Sequence, residues 1–214
     1  MLTLLLGGTF DPVHEGHVAL AETAARAFDA VVRLLPSGQP PHRAPPLASA
    51  AQRLAMLRLA IAGRPRLALD TRELERDGPS YMVDTLRGLR EELGPAAPAG
   101  LLLGADAFLG LPGWSRWEQI PTLAHLVVVT RPGSRLDDLP APLEAACRGR
   151  WTGRRARLGA VPAGLLHQLP MVPHPASATA IRAALAAGDP CPAGLPEPVR
   201  GYISEQRLYR GGAA

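Results

Sequence analysis

Short apolar runs alternate with longer segments of helical periodicity along most of the chain. Six apolar runs predict β-strands: Leu2–Leu6, Ala30–Leu35, Arg66–Leu69, Leu101–Leu103, Leu126–Val129 and Leu169–Val172. Five periodic segments predict α-helices: Gly16–Phe28, Ala50–Ala62, Ser80–Leu93, Ser177–Ala187 and Pro198–Gln206. Apolar strands that alternate with helices in this way indicate a parallel sheet that is buried on both faces.

The predicted fold class is therefore α/β, a doubly wound, Rossmann-like parallel sheet with helices on both faces. We expect one domain over residues 1–214, in which residues 177–214 form a small helical C-terminal part. Ser80 is a candidate N-cap of its helix, and Gly94 follows the end of that helix. Residues 134–165 show a less regular pattern and give no clear element.

The composition narrows the chemistry that the chain can perform. Hydrophobic residues make up 47% of the 214 residues, as expected of a soluble globular protein. All 23 basic residues are arginine and the net charge is +4. Because lysine is absent, a lysine nucleophile, a Schiff base and the lysine of a phosphate-binding P-loop are excluded. The small positive charge suits anionic ligands such as nucleotides, and it is too scattered to predict nucleic-acid binding.

The cysteines and the lengths of the apolar runs indicate the cellular compartment of the protein. Cys147 and Cys191 form no CxxC pair, so neither a disulfide framework nor a zinc knuckle is expected. No apolar run approaches the roughly 18 residues of a membrane span, and the N-terminus shows no signal-peptide pattern. We therefore expect a cytoplasmic protein with no membrane partner, while its oligomeric state is not predicted by any pattern in the chain.

The segment Gly7–His17, GGTFDPVHEGH, lies between the first predicted strand and the first predicted helix. In doubly wound sheets, ligands bind at the carboxyl ends of the strands, and this segment lies at such an end. The free N–H groups at the start of the following helix favour an anion. His14 and His17 share one helical face, and Gly16 between them permits the close approach of a bulky group. These features predict a phosphate-binding site. The two histidines could also ligate zinc or cap the helix, although no third zinc ligand lies nearby in the sequence.

The same segment carries the HxGH signature, and it resembles the nucleotidyltransferase superfamily, in particular the bacterial nicotinate-nucleotide adenylyltransferases. Further matches to that family follow along nearly the whole chain: Pro40-Pro41-His42-Arg43, Asp70, Glu73, Arg76, Ser80-Tyr81, Gly104-Ala105-Asp106, Trp114, Trp117, Arg131-Pro132-Gly133, Ser177–Arg182, Tyr202-Ile203 and Leu208-Tyr209. The signature alone is moderately specific, whereas the whole set in this order and spacing is highly specific.

The resemblance implies that nicotinate mononucleotide attacks the α-phosphate of ATP in line, giving deamido-NAD and pyrophosphate in NAD biosynthesis. Because the attacking phosphate is already an anion, such a transfer needs positioning and charge neutralisation rather than a general base. His14 and His17 are the implied catalytic residues, which contact the ATP phosphates. Mg²⁺ is the implied cofactor and would bridge the triphosphate through oxygens and water, with no dedicated protein ligands.

The resemblance also assigns the two substrate sites. The implied ATP-binding residues are Gly8, Thr9, Phe10, Gly16, Gly104, Asp106, Ser177, Thr179 and Arg182. The implied nicotinate mononucleotide-binding residues are His42, Arg43, Ser80, Tyr81, Met82 and Trp117. In this assignment Asp106 binds ribose hydroxyls and Trp117 stacks on the pyridine ring, whereas Trp114 belongs to the core. Without the resemblance, Asp106 and Ser177 could equally be ordinary helix caps.

At two positions the chain lacks a hydroxyl group that the family pattern carries. Ala178 replaces the middle serine of the family's S-S-T-x-x-R, which predicts a weaker grip on phosphate without loss of activity. Met82 replaces a threonine near the nicotinate carboxylate, which leaves open whether the acid is preferred over its amide. The alternative acceptors within the superfamily are nicotinamide mononucleotide and phosphopantetheine. An alternative from another class is a nucleotide-sensing or nucleic-acid-binding module that keeps the fold without turnover.

Overall fold

Six parallel strands form one sheet in the order β3-β2-β1-β4-β5-β6. The computed structural model describes residues 1–38, 45–134, 136 and 138–211. The strands are β1 Leu2–Gly8, β2 Ala30–Pro36, β3 Leu67–Leu69, β4 Ala99–Gly104, β5 His125–Thr130 and β6 Leu166–Pro170. Parallel strands need a crossover between each pair, and helices supply most of these connections here. The α/β, doubly wound architecture that the apolar runs predict is confirmed.

Helices follow most of the strands. The α-helices of the described residues are α1 Glu15–Phe28, α2 Ala50–Ile61, α3 Met82–Leu93, α4 Ala105–Leu109, α5 Ile120–Leu123, α6 Ala141–Cys147, α7 Ala156–Ala160, α8 Ala178–Ala186 and α9 Glu197–Glu205. Short 3₁₀ turns cover Leu111–Gly113 and Trp117–Gln119. None of the helices in the described part of the chain combines the length and apolar character that crossing a bilayer requires.

Both faces of the sheet are buried because side chains alternate along each strand. In β1, Leu4 and Leu6 pack into one hydrophobic cluster, and Leu5 between them packs into the other. The first cluster includes buried residues of α1, α2 and α9, so the C-terminal helix packs on the same face as the first two. The second cluster includes α3, α4 and α5. That residues 1–214 form a single domain stays a prediction.

The strand order reverses beside β1. The chain runs outward from β1 to β2 and β3 and then crosses back to β4 on the other side of β1. Connections leave the carboxyl ends of β1 and β4 toward opposite directions, which opens a crevice at that edge of the sheet. The segment Gly7–His17 begins with the last two residues of β1 and leads into α1 at this crevice, and Gly104 ends β4 beside it.

The structure shifts some predicted boundaries. β6 begins at Leu166 rather than Leu169, because the polar side chain of His167 is itself buried against Phe28 and breaks the apolar pattern. Tyr81 rather than Ser80 is the N-cap residue of α3. The irregular segment 134–165 contains α6 and α7, which are too short to show a helical period.

Candidate active site

The loop after β1 folds back on a single aromatic ring. Phe10 is 2% exposed and has a φ of 52°, in the left-handed region. A β-carbon on Gly8 would lie 2.9 Å from the Phe10 ring, so only glycine fits at that position. Arg53 on α2 is buried and donates from Nη1 to the carbonyl oxygen of Thr9 at 2.9 Å. Packing and this hydrogen bond therefore hold the loop that precedes the two histidines.

Asp11 joins this loop to three distant parts of the chain. Its buried carboxylate accepts hydrogen bonds from the backbone N–H groups of Leu47 at 2.8 Å and Ala48 at 3.1 Å. The hydroxyl of Tyr209 donates to the same carboxylate at 2.6 Å. Arg182 donates from Nη1 to the Asp11 carbonyl oxygen at 2.6 Å. Asp11 thus connects the signature loop to the start of α2, to the C-terminal segment and to α8.

The two histidines of the signature stack at the start of α1. Their ring centroids are 3.7 Å apart with an interplanar angle of 25°, and Phe10 meets the His17 ring edge-on. His14 is the N-cap residue of α1, and its backbone N–H donates to His17 Nδ1 at 3.3 Å. His14 Nδ1 is buried and has no hydrogen-bond partner in the part of the chain that the structure describes. The pair therefore contains one buried ring nitrogen without a hydrogen-bond partner in the described chain, beside the N-terminus of a helix.

Burial keeps both imidazoles neutral in the ligand-free protein. It lowers the pKa of His14 to about 4, with a smaller contribution from the nearby His174. Burial also lowers the pKa of His17 to about 3, with a smaller contribution from His14. At neutral pH each ring is therefore uncharged and can donate one N–H to an anion.

The N-terminus of α8 faces the same loop. Ser177 is its N-cap residue, and its hydroxyl makes no capping hydrogen bond. Thr179 is exposed in the first turn, and Arg182 lies one turn later, where Nη2 is 3.5 Å from Thr179 Oγ1. Because Arg182 also bonds to Asp11, the two segments that the resemblance assigns to ATP phosphates are brought together. The sequence could not show this, since 171 residues separate Asp11 from Arg182.

A cavity of about 280 Å³ opens at the carboxyl ends of β1 and β4. The residues of the resemblance that line it are Gly8, Thr9, Ser80, Tyr81, Met82 and Gly104, and further lining residues include Ser37, Glu73, Trp114 and Ser115. The backbone N–H groups that begin α3 lie on this wall, where helix geometry leaves them without intrahelical partners. The cavity therefore combines apolar surface with hydrogen-bond donors.

The positions of Trp114 and Trp117 in the structure are the reverse of those that the resemblance implies, which assigns Trp117 to the pyridine ring and Trp114 to the core. Trp114 lines the cavity, whereas Trp117 is 8% exposed and packs in the second hydrophobic cluster. A 3₁₀ turn begins at Trp117 and directs its ring inward, while Trp114 precedes that turn in extended backbone. The structure thus does not bring Trp117 to the cavity. No pattern in the sequence distinguishes the two, because both belong to the same WxxW segment.

Asp106 and Gly104 lie at the end of β4. Gly104 is the N-cap residue of α4, so Asp106 in the first turn is not the cap that the alternative interpretation requires. The Asp106 side chain is exposed beside the crevice. His42 and Arg43, which the resemblance assigns to the acceptor, lie outside the described residues. Their assignment stays a prediction.

Glu73 is a buried acid in the cavity wall, and the resemblance assigns it to neither substrate site. It is 5% exposed and accepts a hydrogen bond from Thr85 Oγ1 at 2.8 Å. Burial raises the pKa of its carboxyl above the ordinary value, which the Thr85 and Gly38 hydrogen bonds partly offset. Glu73 is the charged residue among the described lining of the cavity. Its place in the matched series Asp70, Glu73, Arg76 was the available signal.

Residues 5–184 match the model of the cytidylyltransferase-like family. A "Probable nicotinate-nucleotide adenylyltransferase" of Stenotrophomonas maltophilia is 48% identical over 215 residues, which cover 98% of this chain and 97% of the relative. A protein of the same name from Laribacter hongkongensis is 48% identical over 207 residues, covering 96% and 93% of the two chains. Both matches cover nearly the full length of this chain.

The fold also matches solved structures. The Plasmodium falciparum nicotinic acid mononucleotide adenylyltransferase complexed with NaAD superposes with a TM-score of 0.71, over 97% of each chain, at 15% identity. A "Putative Nicotinate-nucleotide Adenylyltransferase from Vibrio parahaemolyticus" gives a TM-score of 0.65 at 15% identity, over 99% of this chain and 96% of that chain. At these identities the two likenesses concern the fold.

Proposed function

The chain belongs to the cytidylyltransferase-like family of nucleotidyltransferases, among the nicotinate-nucleotide adenylyltransferases, and we propose that it adenylylates nicotinate mononucleotide. The adenylyl group of ATP passes to this acceptor, and the products are deamido-NAD and pyrophosphate. One observation carries the proposal: a single loop joins the cavity, which Gly8 and Thr9 line, to the stacked pair His14 and His17, and Arg182 of α8 bonds to the Asp11 carbonyl oxygen of that loop. That arrangement provides a polyphosphate site and an acceptor site at the same edge of the sheet.

Phosphate binding is the main task of the signature residues. Neutral His14 and His17 donate N–H groups to the phosphates of ATP, and the N-terminus of α1 adds its positive end. Arg182 and the first turn of α8 neutralise the terminal phosphates, which leave as pyrophosphate. Because these groups are held before ATP arrives, little reorganisation accompanies the build-up of charge in the transition state.

The acceptor occupies the cavity beside β4. The pyridine ring lies against Trp114, and the carboxylate of nicotinate meets the first backbone N–H groups of α3 near Tyr81 and Met82. Its 5′-phosphate then faces the α-phosphate of ATP, so the attack is direct and in line. No protein group needs to remove a proton, since the attacking phosphate oxygen already carries charge.

Magnesium fits this site as a companion of ATP. Among the described residues no group of three or more His, Cys, Asp or Glu side chains could hold a metal ion. Mg²⁺ retains water readily and binds nucleotide phosphates, so phosphate oxygens and water would supply its ligands. Asp106, exposed beside the crevice, is free to bind a ribose hydroxyl, as the resemblance implies. These substrates are those of cytoplasmic NAD biosynthesis.

The test is pyrophosphate release from ATP and Mg²⁺ with three acceptors compared at equal concentration. We expect a strong preference for nicotinate mononucleotide over nicotinamide mononucleotide and phosphopantetheine. Comparable use of the amide would show that Met82 has removed the selectivity for the acid. Bound ATP without release for any acceptor would contradict the proposed activity and favour a binding module.

A further inference from the structure

A third histidine lies beside the signature pair. His174 is in the segment between β6 and α8, three residues before the N-cap Ser177. A β-carbon on Gly16 would lie 3.1 Å from His14 Nδ1 and 3.4 Å from His174 Cβ, so the two residues border the same glycine. Burial is the main cause of the lowered pKa of His14, and the nearby His174 lowers it further.

Hydrogen bonding fixes which nitrogen of His174 faces outward. The backbone N–H of Ala176 donates to His174 Nδ1 at 3.1 Å. Since Nδ1 accepts this bond, the proton of the neutral ring is on Nε2. The nearest acidic atom, Glu15 Oε2, is 3.7 Å from Nε2, which is longer than a hydrogen bond. His174 therefore presents an N–H donor that no short contact within the described residues uses.

The neighbouring groups indicate that this donor serves an anion. His14 Nδ1 is buried without a partner among the described residues, and Arg182 of α8 donates to the carbonyl oxygen of Asp11 in the same loop. Among the described residues, Glu15 is the acid within 4 Å of His174, and its side chain is 52% exposed, so it can turn into solvent when an anion arrives. An anion that spans His14 and the α8 N-terminus would pass His174.

We propose that His174 is a third imidazole of the polyphosphate site and that its Nε2–H donates to the terminal phosphates of the bound nucleoside triphosphate. This inference rests on the proposed function, because it concerns the same ATP site. His174 lies on the α8 side of the site, which the mechanism assigns to the leaving pyrophosphate. Its loss therefore weakens binding of the triphosphate group and leaves the acceptor cavity unchanged.

Two substitutions separate a binding role from a structural one. His174→Gln places an amide N–H near the position of Nε2 and loses the acceptor for Ala176. His174→Asn keeps an oxygen near the position of Nδ1 for Ala176 and loses the outer donor. Titration calorimetry of each variant with tripolyphosphate, α,β-methylene-ATP and AMP measures the effect. AMP, which has no terminal phosphates, is the internal control for an intact nucleotide site.

We expect His174→Asn to weaken binding of tripolyphosphate and of the ATP analogue about tenfold, the loss of one hydrogen bond to a charged group. His174→Gln should bind both within a fewfold of the wild-type protein, and AMP affinity should not change in either variant. Wild-type affinity in His174→Asn, or equal weakening in both variants, would overturn the inference. Failure of the wild-type protein to turn over any acceptor while it binds ATP contradicts the proposed function alone.

Discussion

Tyr209→Phe removes the hydroxyl group that hydrogen-bonds to the carboxylate of Asp11 in the signature loop. The Tyr209 hydroxyl donates to Asp11 Oδ1 at 2.6 Å, and Ala48 N–H donates to the same oxygen at 3.1 Å. Burial raises the pKa of Tyr209 well above its ordinary value, so the hydroxyl stays a donor throughout the neutral range. Phenylalanine fills almost the same volume, so the substitution deletes the hydrogen bond and little else.

The expected cost follows from the charge of the acceptor. A hydrogen bond to an ionised group contributes about 1.5–3 kcal/mol, and the lower end applies here because Ala48 still donates to that oxygen. We therefore expect the free energy of unfolding to fall by about 1.5 kcal/mol, which lowers the melting temperature by about 3–6 °C for a chain of this length. Arg182 binds the carbonyl of Asp11, so the KM for ATP should rise a few-fold while the KM for nicotinate mononucleotide stays unchanged.

Urea unfolding and steady-state kinetics measure both effects. The slope of the unfolding transition should not change, since the surface exposed on unfolding is the same. Tyr202→Phe is the matched control, because Tyr202 is partly buried on α9 and its hydroxyl has no hydrogen-bond partner in the described chain. If Tyr209→Phe unfolds at the same urea concentration as Tyr202→Phe, the Asp11 hydrogen bond does not stabilise the loop and the reasoning is refuted.

Three further predictions, which use four substitutions, test other parts of the site. Trp114→Ala should raise the KM for nicotinate mononucleotide at least about tenfold with little loss of stability, whereas Trp117→Ala should cost about 3 kcal/mol of unfolding free energy; equal KM effects would contradict this assignment. Gly16→Ala puts a methyl group 3.1 Å from the His14 ring and should weaken ATP binding. Calorimetry measures this effect, with acceptor binding as the control. Unchanged ATP affinity would contradict the idea that Gly16 permits the close approach of the nucleotide. Burial lowers the pKa of His17 to about 3, so below pH 6.5 the unfolded chain binds a proton that the folded protein excludes, and stability falls as the pH falls toward 3. His17→Asn should flatten that dependence in urea unfolding between pH 7 and 4, and parallel curves for the two proteins would contradict it.

The periodicity of the sequence was sufficient for the sheet and for its longer helices. Strands such as β1 are apolar on both faces. A short run of this kind is readily recognised as a buried strand, because the other segments of the chain are amphipathic. The prediction lost accuracy where an element is short or where a polar residue is buried. β6 contains His167, whose imidazole bonds to the Thr152 carbonyl, so burial there depends on a partner that periodicity does not reveal.

The HxGH segment was recognisable from its residues because its chemistry is local. Gly8 meets Phe10 two residues later and Gly16 meets His14 two residues earlier, so the short spacing within one loop and one helix start accounts for both contacts. The same holds for the start of α8, where Ser177 and Thr179 belong to one turn.

Tertiary structure decided the contacts between those segments and distant parts of the chain. Asp11 meets Tyr209 across 198 residues, and the choice of Trp114 over Trp117 as the cavity wall depends on how a 3₁₀ turn packs on the core. His174 reaches His14 only because β6 and β1 end at the same edge of the sheet. Sequence determines which residues can donate, accept or pack, since these are properties of each side chain and its near neighbours. Which of them face one another is set by the packing of distant elements, because contacts between such elements depend on the position of every strand and helix at once.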